Sequence, residues 1–172
     1  MRLMLLFAAA LAAGRAGAET GVAAVKGTAE GSSIFGTVRF SDSKEGLKVT
    51  AVLAGLPPGT HGFHIHEFGS CADAGKAAGA HYNPKGAPHG SAVQHGIKKA
   101  HAGDLGNVIA GADGKAALEV VVKKLSLASG KASVGGRAVI VHEKADDFGQ
   151  PAGNAGGRIA CGMIALAAPA AP

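Results

Sequence analysis

The sequence has no block of lysine and arginine residues and few aromatic side chains. Basic residues number 17 and acidic residues 12, which gives a formal net charge of +5, and aromatic residues make up 4% of the chain. Because nucleic-acid-binding surfaces cluster basic side chains, often with aromatic ones between them, we do not expect a nucleic-acid partner. A mildly positive surface is compatible instead with a small anionic substrate that arrives by diffusion.

Hydrophobic runs long enough to cross a membrane are also missing. The apolar run at residues 3–13 is shorter than the roughly 20 residues that a transmembrane helix needs, and no later run reaches that length. Arg2 precedes this run and the small residues Ala-Gly-Ala at 16–18 follow it, which is typical of a secretory signal peptide. We therefore expect residues 1–18 to be removed and residues 19–172 to form one soluble domain, periplasmic or secreted, without membrane contact.

Cysteine is scarce, with Cys71 and Cys161 as the only two thiols. In a chain exported to an oxidising compartment, such a pair favours a disulfide, and two buried free thiols are the alternative. Closing so long a loop would stabilise the fold by about 4 kcal/mol in the chain-entropy description.

Helical apolar stripes are rare, and no internal repeat is visible. Apolar residues alternate instead with a period of two in short runs separated by Gly, Pro, Asp or Ser, which predicts half-buried β-strands. Eight such strands favour an all-β sandwich or barrel. The predicted strands are residues 22–29, 33–40, 47–54, 61–66, 104–110, 115–123, 137–142 and 159–166.

The segments between these strands differ in length. Asp113-Gly114 indicates a tight hairpin ahead of the strand 115–123, and Leu-Pro-Pro-Gly at 56–59 must be a connection because proline cannot continue a ladder. Two connections, 67–103 and 143–158, are long for a compact domain. Long loops in such domains are usually functional, and here they carry histidines and acidic residues.

One pair of histidines lies on a predicted strand. His64 and His66 are two residues apart, so their imidazoles leave the same face, while Ile65 points to the other face. The pair can converge on one metal ion, although two surface histidines on an edge strand would show the same spacing.

A second set of candidate ligands follows in the long loop. His81, His89, His101 and Asp104 offer three imidazoles and one carboxylate, a set that suits a closed tetrahedral zinc site. A metal bound at four points would order a loop that has few apolar residues of its own. Solvated loop histidines are the alternative. His142 ends a strongly apolar strand, where a histidine by itself is more often structural than ligating.

Five motifs together make the chain resemble the copper/zinc superoxide dismutase family. They are GFHIHEFGSC at 62–71, HYNPKGAPHG at 81–90, HAGDLGNV at 101–108, VHEKADD at 141–147 and GNAGGRIACG at 153–162. Their order and approximate spacing are those of the family, of an exported bacterial type, and the match spans nearly all of residues 19–172. The resemblance implies an immunoglobulin-like, eight-stranded Greek-key β-sandwich or barrel with two long functional loops.

The resemblance also implies an activity: superoxide is disproportionated to oxygen and hydrogen peroxide while copper cycles between its two oxidation states. His81 bridges copper and zinc as an imidazolate, leaves copper on reduction and takes up a proton. Arg158 stands beside copper and draws in the anion, Asp146 links ligands of the two metals, and Cys71 is bonded to Cys161. The implied copper ligands are His64, His66, His81 and His142, and the implied zinc ligands are His81, His89, His101 and Asp104.

The sequence leaves the roles of several residues undecided. His61 matches a structural histidine of the family, whereas His95 could replace His101 as a zinc ligand, and we prefer His101 because it lies just before the GDLGN segment. The loop before Arg158 is short and lacks a run of charged residues. Lys98, Lys99 and Lys144 are candidates for guiding the substrate or simply solvated surface lysines.

Two other functions remain compatible with the fold. An exported copper or zinc carrier would bind metal without turnover, but the complete ligand set and Arg158 count against it. A purely structural or adhesive sandwich would leave the histidines and Asp104 unexplained. A monomer and a homodimer are equally compatible with the sequence.

Overall fold

The computed structural model describes residues 19–167, so the signal peptide expected at 1–18 lies outside the described residues. The chain forms antiparallel strands with one short α-helix, α1 (Ala92–His95), and one turn of 3-10 helix (Lys76–Ala78). The strands are β1 (Thr20–Gly27), β2 (Phe35–Ser43), β3 (Gly46–Ala54), β4 (Gly59–His66), β5 (Asp104–Ala110), β6 (Ala116–Val122), β7 (Ala138–His142), β8 (Arg158–Met163) and β9 (Ala165–Ala167).

The strands form one sheet in the order β5-β4-β7-β8-β1-β2-β3-β6, with β9 also paired to β1. The end strands β5 and β6 contact each other, so the sheet curls into a nearly closed barrel. Neighbours that are distant in sequence, β4 with β7 and β8 with β1, mark long crossing connections of the Greek-key kind. The predicted all-β, eight-stranded architecture is confirmed.

The core follows the predicted alternation. Along β3, Leu47, Val49, Ala51 and Leu53 are buried, and the intervening Val52 is 62% exposed. The partner strands repeat the pattern, so one face of each strand fills the barrel and the other faces solvent or a covering loop. Because a shift of one residue would exchange the two faces, this burial fixes the register.

The last predicted strand, 159–166, is wrong as one continuous element. The ladder breaks at Ile164, whose side chain is only 1% exposed and whose amide donates to the carbonyl of Arg137. β8 pairs with β7, whereas β9 pairs with the start of β1. Alternation alone did not reveal the break because Ile164 is apolar like its neighbours.

The structure contains a long connection between β6 and β7 that the sequence analysis did not predict. The connection 123–137 is a third long one, and it buries Leu125, Leu127 and Val134 in the core, so it closes one end of the barrel. The turn at Asp113-Gly114 is present, and Gly114 has φ +72°. The predicted hairpin is wrong, because this turn joins β5 to β6, which are the two ends of the sheet and are not hydrogen-bonded neighbours.

The first long loop, 67–103, is fastened to β8. Cys71 and Cys161 form the expected disulfide. The Arg158 guanidinium donates hydrogen bonds of 2.6 Å to the carbonyl oxygens of Gly75 and Gly79. Within residues 19–167, no helix is long and apolar enough to cross a membrane.

Candidate metal centre

Two groups of side chains, joined by His81, converge where the long loops cover β4. In each group the possible ligand atoms lie within 4.8 Å of one another. All the side chains are buried except His101, which is partly exposed. The first group is His64, His66, His81 and His142, and the second is His81, His89, His101 and Asp104. The structure thus brings together every ligand that the sequence predicted, and His95 belongs to neither group.

The strands position the first group. His64 and His66 lie on one side of β4, Phe63 and Ile65 are fully buried on the other, and His142 ends the neighbouring β7. His81 pairs with His66 through an isolated β-bridge. Both sides of β4 are therefore covered, one by the barrel core and the other by the loop.

Gly103 allows the loop that carries the second group to lie directly against β4. A side chain at Gly103 would overlap the backbone of Ile65. The carbonyl oxygen of Gly103 accepts from the amide of Ile65, and its own amide donates to the carbonyl oxygen of Tyr82. This close contact ties the end of the loop to β4 at the point where β5 begins. It brings Asp104 to within 2.9 Å of the Nδ1 atom of His81.

Hydrogen bonds set the orientation of the rings in the first group. Nδ1 of His66 lies 2.9 Å from the carbonyl oxygen of Gly79, and Nδ1 of His142 lies 3.3 Å from that of Gly156. Since a carbonyl only accepts, each Nδ1 carries the proton and each Nε2 is a free acceptor. The two Nε2 atoms face each other at 3.4 Å, an arrangement that suits a cation between them.

The second group is built around a carboxylate. The Nδ1 atoms of His81 and His89 each lie 2.9 Å from an oxygen of Asp104, and that of His101 lies 3.3 Å from it. Among the described residues, three buried side-chain nitrogens lack a well-directed hydrogen bond: Nδ1 of His64, and Nδ1 of His89 and of His101, which lie close to Asp104 but are poorly aligned with its oxygens. Buried polar atoms without a partner are rare in proteins, and all three belong to the two groups.

The donor atoms therefore fit two metal ions. Four imidazoles suit copper, while three imidazoles and a carboxylate suit a tetrahedral zinc ion. Since His81 directs Nδ1 to Asp104, its Nε2 is the atom left for the first group.

Asp146 connects the two groups from outside. Its Oδ2 atom accepts a 2.8 Å hydrogen bond from Nε2 of His64, and its Oδ1 atom accepts a 2.9 Å bond from Nε2 of His89. The side chain of Asn107 holds the backbone of Asp146 in place: its Oδ1 atom accepts a 2.7 Å hydrogen bond from the Asp146 amide, and its Nδ2 atom donates a 3.0 Å bond to the Asp146 carbonyl oxygen. Carboxylates that accept from ligand histidines fix the tautomer and the ring orientation.

Burial and charge keep most of the ligands in the form that binds metal. Burial lowers the pKa of His64 to about 4, that of His142 to about 3 and that of His66 to about 2, so these rings are neutral at pH 7. His89 differs. Burial works against its charged form, but the neighbouring carboxylates of Asp104 and Asp146, each 2.9 Å from a ring nitrogen, outweigh burial and raise its pKa to about 9.

The pKa values of the two carboxyl groups, Asp104 and Asp146, shift in the direction opposite to the one that burial alone would give. Burial would raise the pKa of Asp104 and of Asp146, but hydrogen bonds from the histidines hold both pKa values well below the usual range. Both side chains are therefore charged, and they supply the negative potential that cations require.

A cavity of about 330 Å³ opens onto the first group. His66, His81, His142 and Arg158 line it, together with residues of the loop 151–156. Among residues 19–167, Arg158 is the only charged side chain in this lining, and partial burial lowers its pKa from the ordinary value without removing its charge. Lys98 and Lys99 do not line the cavity, and the stem of Lys144 lies close to Gly156 at its edge.

His61 has the structural role expected from the sequence. Its Nδ1 atom lies 2.9 Å from the carbonyl oxygen of His142, and its Nε2 atom lies 2.8 Å from that of Pro57. The ring is 3% exposed and links β4 to the end of β7.

Sequence reasoning missed the groups that orient the rings. The carbonyls of Gly79 and Gly156 have no sequence signal, because every residue has a carbonyl. Asn107 did have one, since it lies in the HAGDLGNV motif and its side chain can both donate and accept.

Comparisons with known proteins agree with this geometry. The profile of the family described as copper/zinc superoxide dismutase (SODC) matches residues 34–164. An extracellular superoxide dismutase of the Cu-Zn type from Brugia pahangi is 38% identical over 146 residues, which cover 79% of this chain and 71% of that protein. The crystal structure of the clock protein EA4 is 36% identical, superposes with a TM-score of 0.77, and covers 86% of this chain and 94% of that chain. The chain belongs to the copper/zinc superoxide dismutase family, whose members disproportionate superoxide with a copper and a zinc ion.

Proposed function

We propose that the first group holds copper and the second holds zinc, with the ring of His81 between them. The observation that carries this assignment is that His81 belongs to both groups and directs Nδ1 to Asp104, which leaves Nε2 for the other ion. The copper ligands are then His64, His66, His81 and His142, and the zinc ligands are His81, His89, His101 and Asp104.

In the reaction, two superoxide anions and two protons give one oxygen and one hydrogen peroxide molecule. Bound copper supplies the one-electron exchange with each superoxide. Nε2 of His81 holds a proton in one half of the cycle and loses it in the other, while Nδ1 stays with Asp104 and the second group. His66 and His142 cannot turn freely, because each ring is held by a backbone carbonyl, and so the free Nε2 atoms stay aimed at the cavity.

Arg158 is proposed to draw in and orient superoxide. Its guanidinium lines the cavity beside His81 and is held by the carbonyl oxygens of Gly75 and Gly79. A fixed cation in a concave site attracts a small anion and raises its rate of encounter.

The metal assignment is tested by metal analysis and copper electron-spin spectra of loaded variants. His89→Ala is expected to lose zinc and keep copper, and His66→Ala is expected to lose copper and keep zinc. His95→Ala serves as the control, since this exposed ring lies in neither group. Loss of the same metal from both ligand variants would contradict the assignment, and tight copper binding without turnover in the unmodified protein would favour a carrier.

We also propose that residues 1–18 are a signal peptide and that residues 19–172 are the mature domain, in the periplasm or secreted. The disulfide supports an oxidising compartment, and the matched Brugia protein is named as extracellular. N-terminal sequencing of the protein from the cell exterior or the periplasm should begin at Glu19. An uncleaved N-terminus would contradict the proposal.

A homodimer is proposed through the outer face of β1, β8 and β9. Ala24, Met163 and Ala165 are exposed there beside the half-buried Val22, and Lys26 lies at the end of the same face, so the neighbouring strands present a mostly apolar surface. Exposed apolar patches of this kind mark contact surfaces. Sedimentation equilibrium should show a dimer that Met163→Glu dissociates, and a protein that is monomeric at micromolar concentration would contradict this.

A further inference from the structure

A second concave site lies on the surface, apart from the metal centre. It is a cavity of about 170 Å³, which we call the lysine groove. It shares no lining residue with the cavity beside His81 and Arg158. Its lining consists of His95, Gly96, Ile97, Lys98, Lys123 and Lys124.

Two distant parts of the chain build the lysine groove. His95 is the last residue of α1, and residues 96–98 follow it in the loop between β4 and β5; α1 packs against β5 and β6. Ile97 is 4% exposed and belongs to the core, so packing fixes the position of the backbone next to Lys98. Lys123 and Lys124 follow the last residue of β6 and complete the lining of the groove.

The backbone at Lys124 is in an unusual conformation. Its φ is +66°, in the left-handed region that residues other than glycine, asparagine and aspartate seldom adopt. This backbone conformation is energetically unfavourable for a lysine. Local strain that persists in a folded protein is a recognised feature of binding sites, and here it turns the chain immediately after Lys123.

The charges of the groove are not balanced by the protein. None of its three lysines makes an ion pair within residues 19–167, whereas Lys48 and Lys115 each have an acidic partner. Glu45 lies on the adjacent turn between β2 and β3, yet it forms no ion pair with the lysines. Three like charges around one concavity repel one another and create a positive potential that an anion would relieve.

We propose that the lysine groove binds a tetrahedral oxyanion, a sulfate or phosphate group that is either free in solution or carried by a larger molecule. Each lysine ammonium offers three donors, the ring of His95 offers another, and a tetrahedral oxyanion presents four acceptor oxygens. The volume accommodates one such group with bridging water. A bound anion would join the zinc-ligand loop to the end of β6, because Lys98 belongs to the first and Lys123 to the second.

The test is isothermal titration of the fully metallated protein at constant ionic strength. Inorganic sulfate represents the free anion, and sucrose octasulfate represents sulfate groups on a larger molecule. Neither probe is a strong chelator, so the metals stay bound. Comparable affinities for the two probes would identify a free ion as the ligand, and much tighter binding of the octasulfate would identify a carried group.

A matched pair of variants separates the groove from general charge. Lys98→Gln with Lys123→Gln should weaken octasulfate binding about tenfold, since it removes two of the three ammonium groups around the groove and exposed ion pairs are individually weak. Lys85→Gln with Lys115→Gln removes the same charge from exposed sites outside the groove, Lys115 being at the opposite end of β6, and should change the affinity less than about twofold. Circular dichroism confirms that both variants are folded. Equal weakening in both variants, complete loss of binding in Arg158→Gln, or no binding to the unmodified protein would overturn the proposal.

Discussion

The Oδ2 atom of Asp146 lies 2.8 Å from the Nε2 atom of His64, although the two residues are 82 positions apart. The other oxygen of the same carboxylate accepts from His89. One side chain from the second long loop therefore holds a ring from each metal group, and the two groups cannot be rearranged independently.

Replacing Asp146 tests this link. Asp146→Asn keeps the size of the side chain but removes the charge and one acceptor, so His89 loses part of its orientation. We expect the zinc affinity to fall about 10- to 100-fold, the usual effect of removing a carboxylate that supports a ligand histidine. Competition with a chromogenic zinc chelator measures the change. Asp147→Asn is the control, because this neighbouring carboxylate is exposed and contacts only Gly149 and Asn154.

Gly153 leaves the space that Asp146 needs. A Cβ atom at this position would overlap Oδ1 of Asp146 and crowd Nε2 of His89, and the residue has φ +75°. Gly153→Ala should lower the free energy of unfolding by about 1–3 kcal/mol and weaken zinc binding as well. Gly86→Ala is a matched control, since Gly86 has φ +61° but nothing near its Cβ position. Equal zinc affinities in the two variants would contradict the prediction that contact with Asp146 weakens zinc binding, and would leave backbone strain as the only effect of the substitution.

Removing Arg158 should slow the reaction. Arg158→Ala takes the only charged side chain out of the cavity lining, so we expect the rate constant to fall about tenfold and its dependence on ionic strength to flatten. Pulse radiolysis at several salt concentrations gives both quantities. Arg39→Ala, on the outer face of β2, should leave the salt profile almost unchanged. An Arg158→Ala variant with the original rate and profile would remove the residue from the account.

Zinc binding should release a proton from His89, whereas His64, His66 and His142 carry no extra proton that copper would have to displace. Because the pKa of His89 is raised to about 9, the metal-free protein carries this proton at pH 7, and zinc must displace it. The zinc affinity should therefore fall about tenfold for each pH unit below 9 from this group alone. The lowered pKa values of His64, His66 and His142 leave these rings unprotonated above pH 5. Titrations in buffers of different ionisation enthalpy count the protons released on zinc binding, and none released at pH 7 would be inconsistent with this assignment.

Much of the fold and the site could be predicted from the sequence. Alternation in runs such as 47–54 reports directly on burial, because a strand places successive side chains on opposite faces. The spacing of His64 and His66 follows from the same geometry. The set His81, His89, His101 and Asp104 was predicted from its residue types in one loop. The copper role of His81 and His142 was implied only by the family motifs, since no local rule brings these two residues together.

What escaped prediction depends on contacts between distant segments. The break at Ile164 is set by packing, and the carbonyls of Gly79 and Gly156 acquire a role only through the path of the loops. Lys98 was a candidate for guiding substrate toward copper. It lines another cavity instead, because α1 directs the chain after it toward β6.

The central claim is that two different cations lie on opposite sides of the His81 ring. Anomalous diffraction from crystals of the loaded protein, recorded on both sides of the copper and zinc absorption edges, tests it most directly. The account predicts a copper signal next to Nε2 of His81 and a zinc signal next to Nδ1. Two signals of one metal, or either signal far from His81, would contradict it.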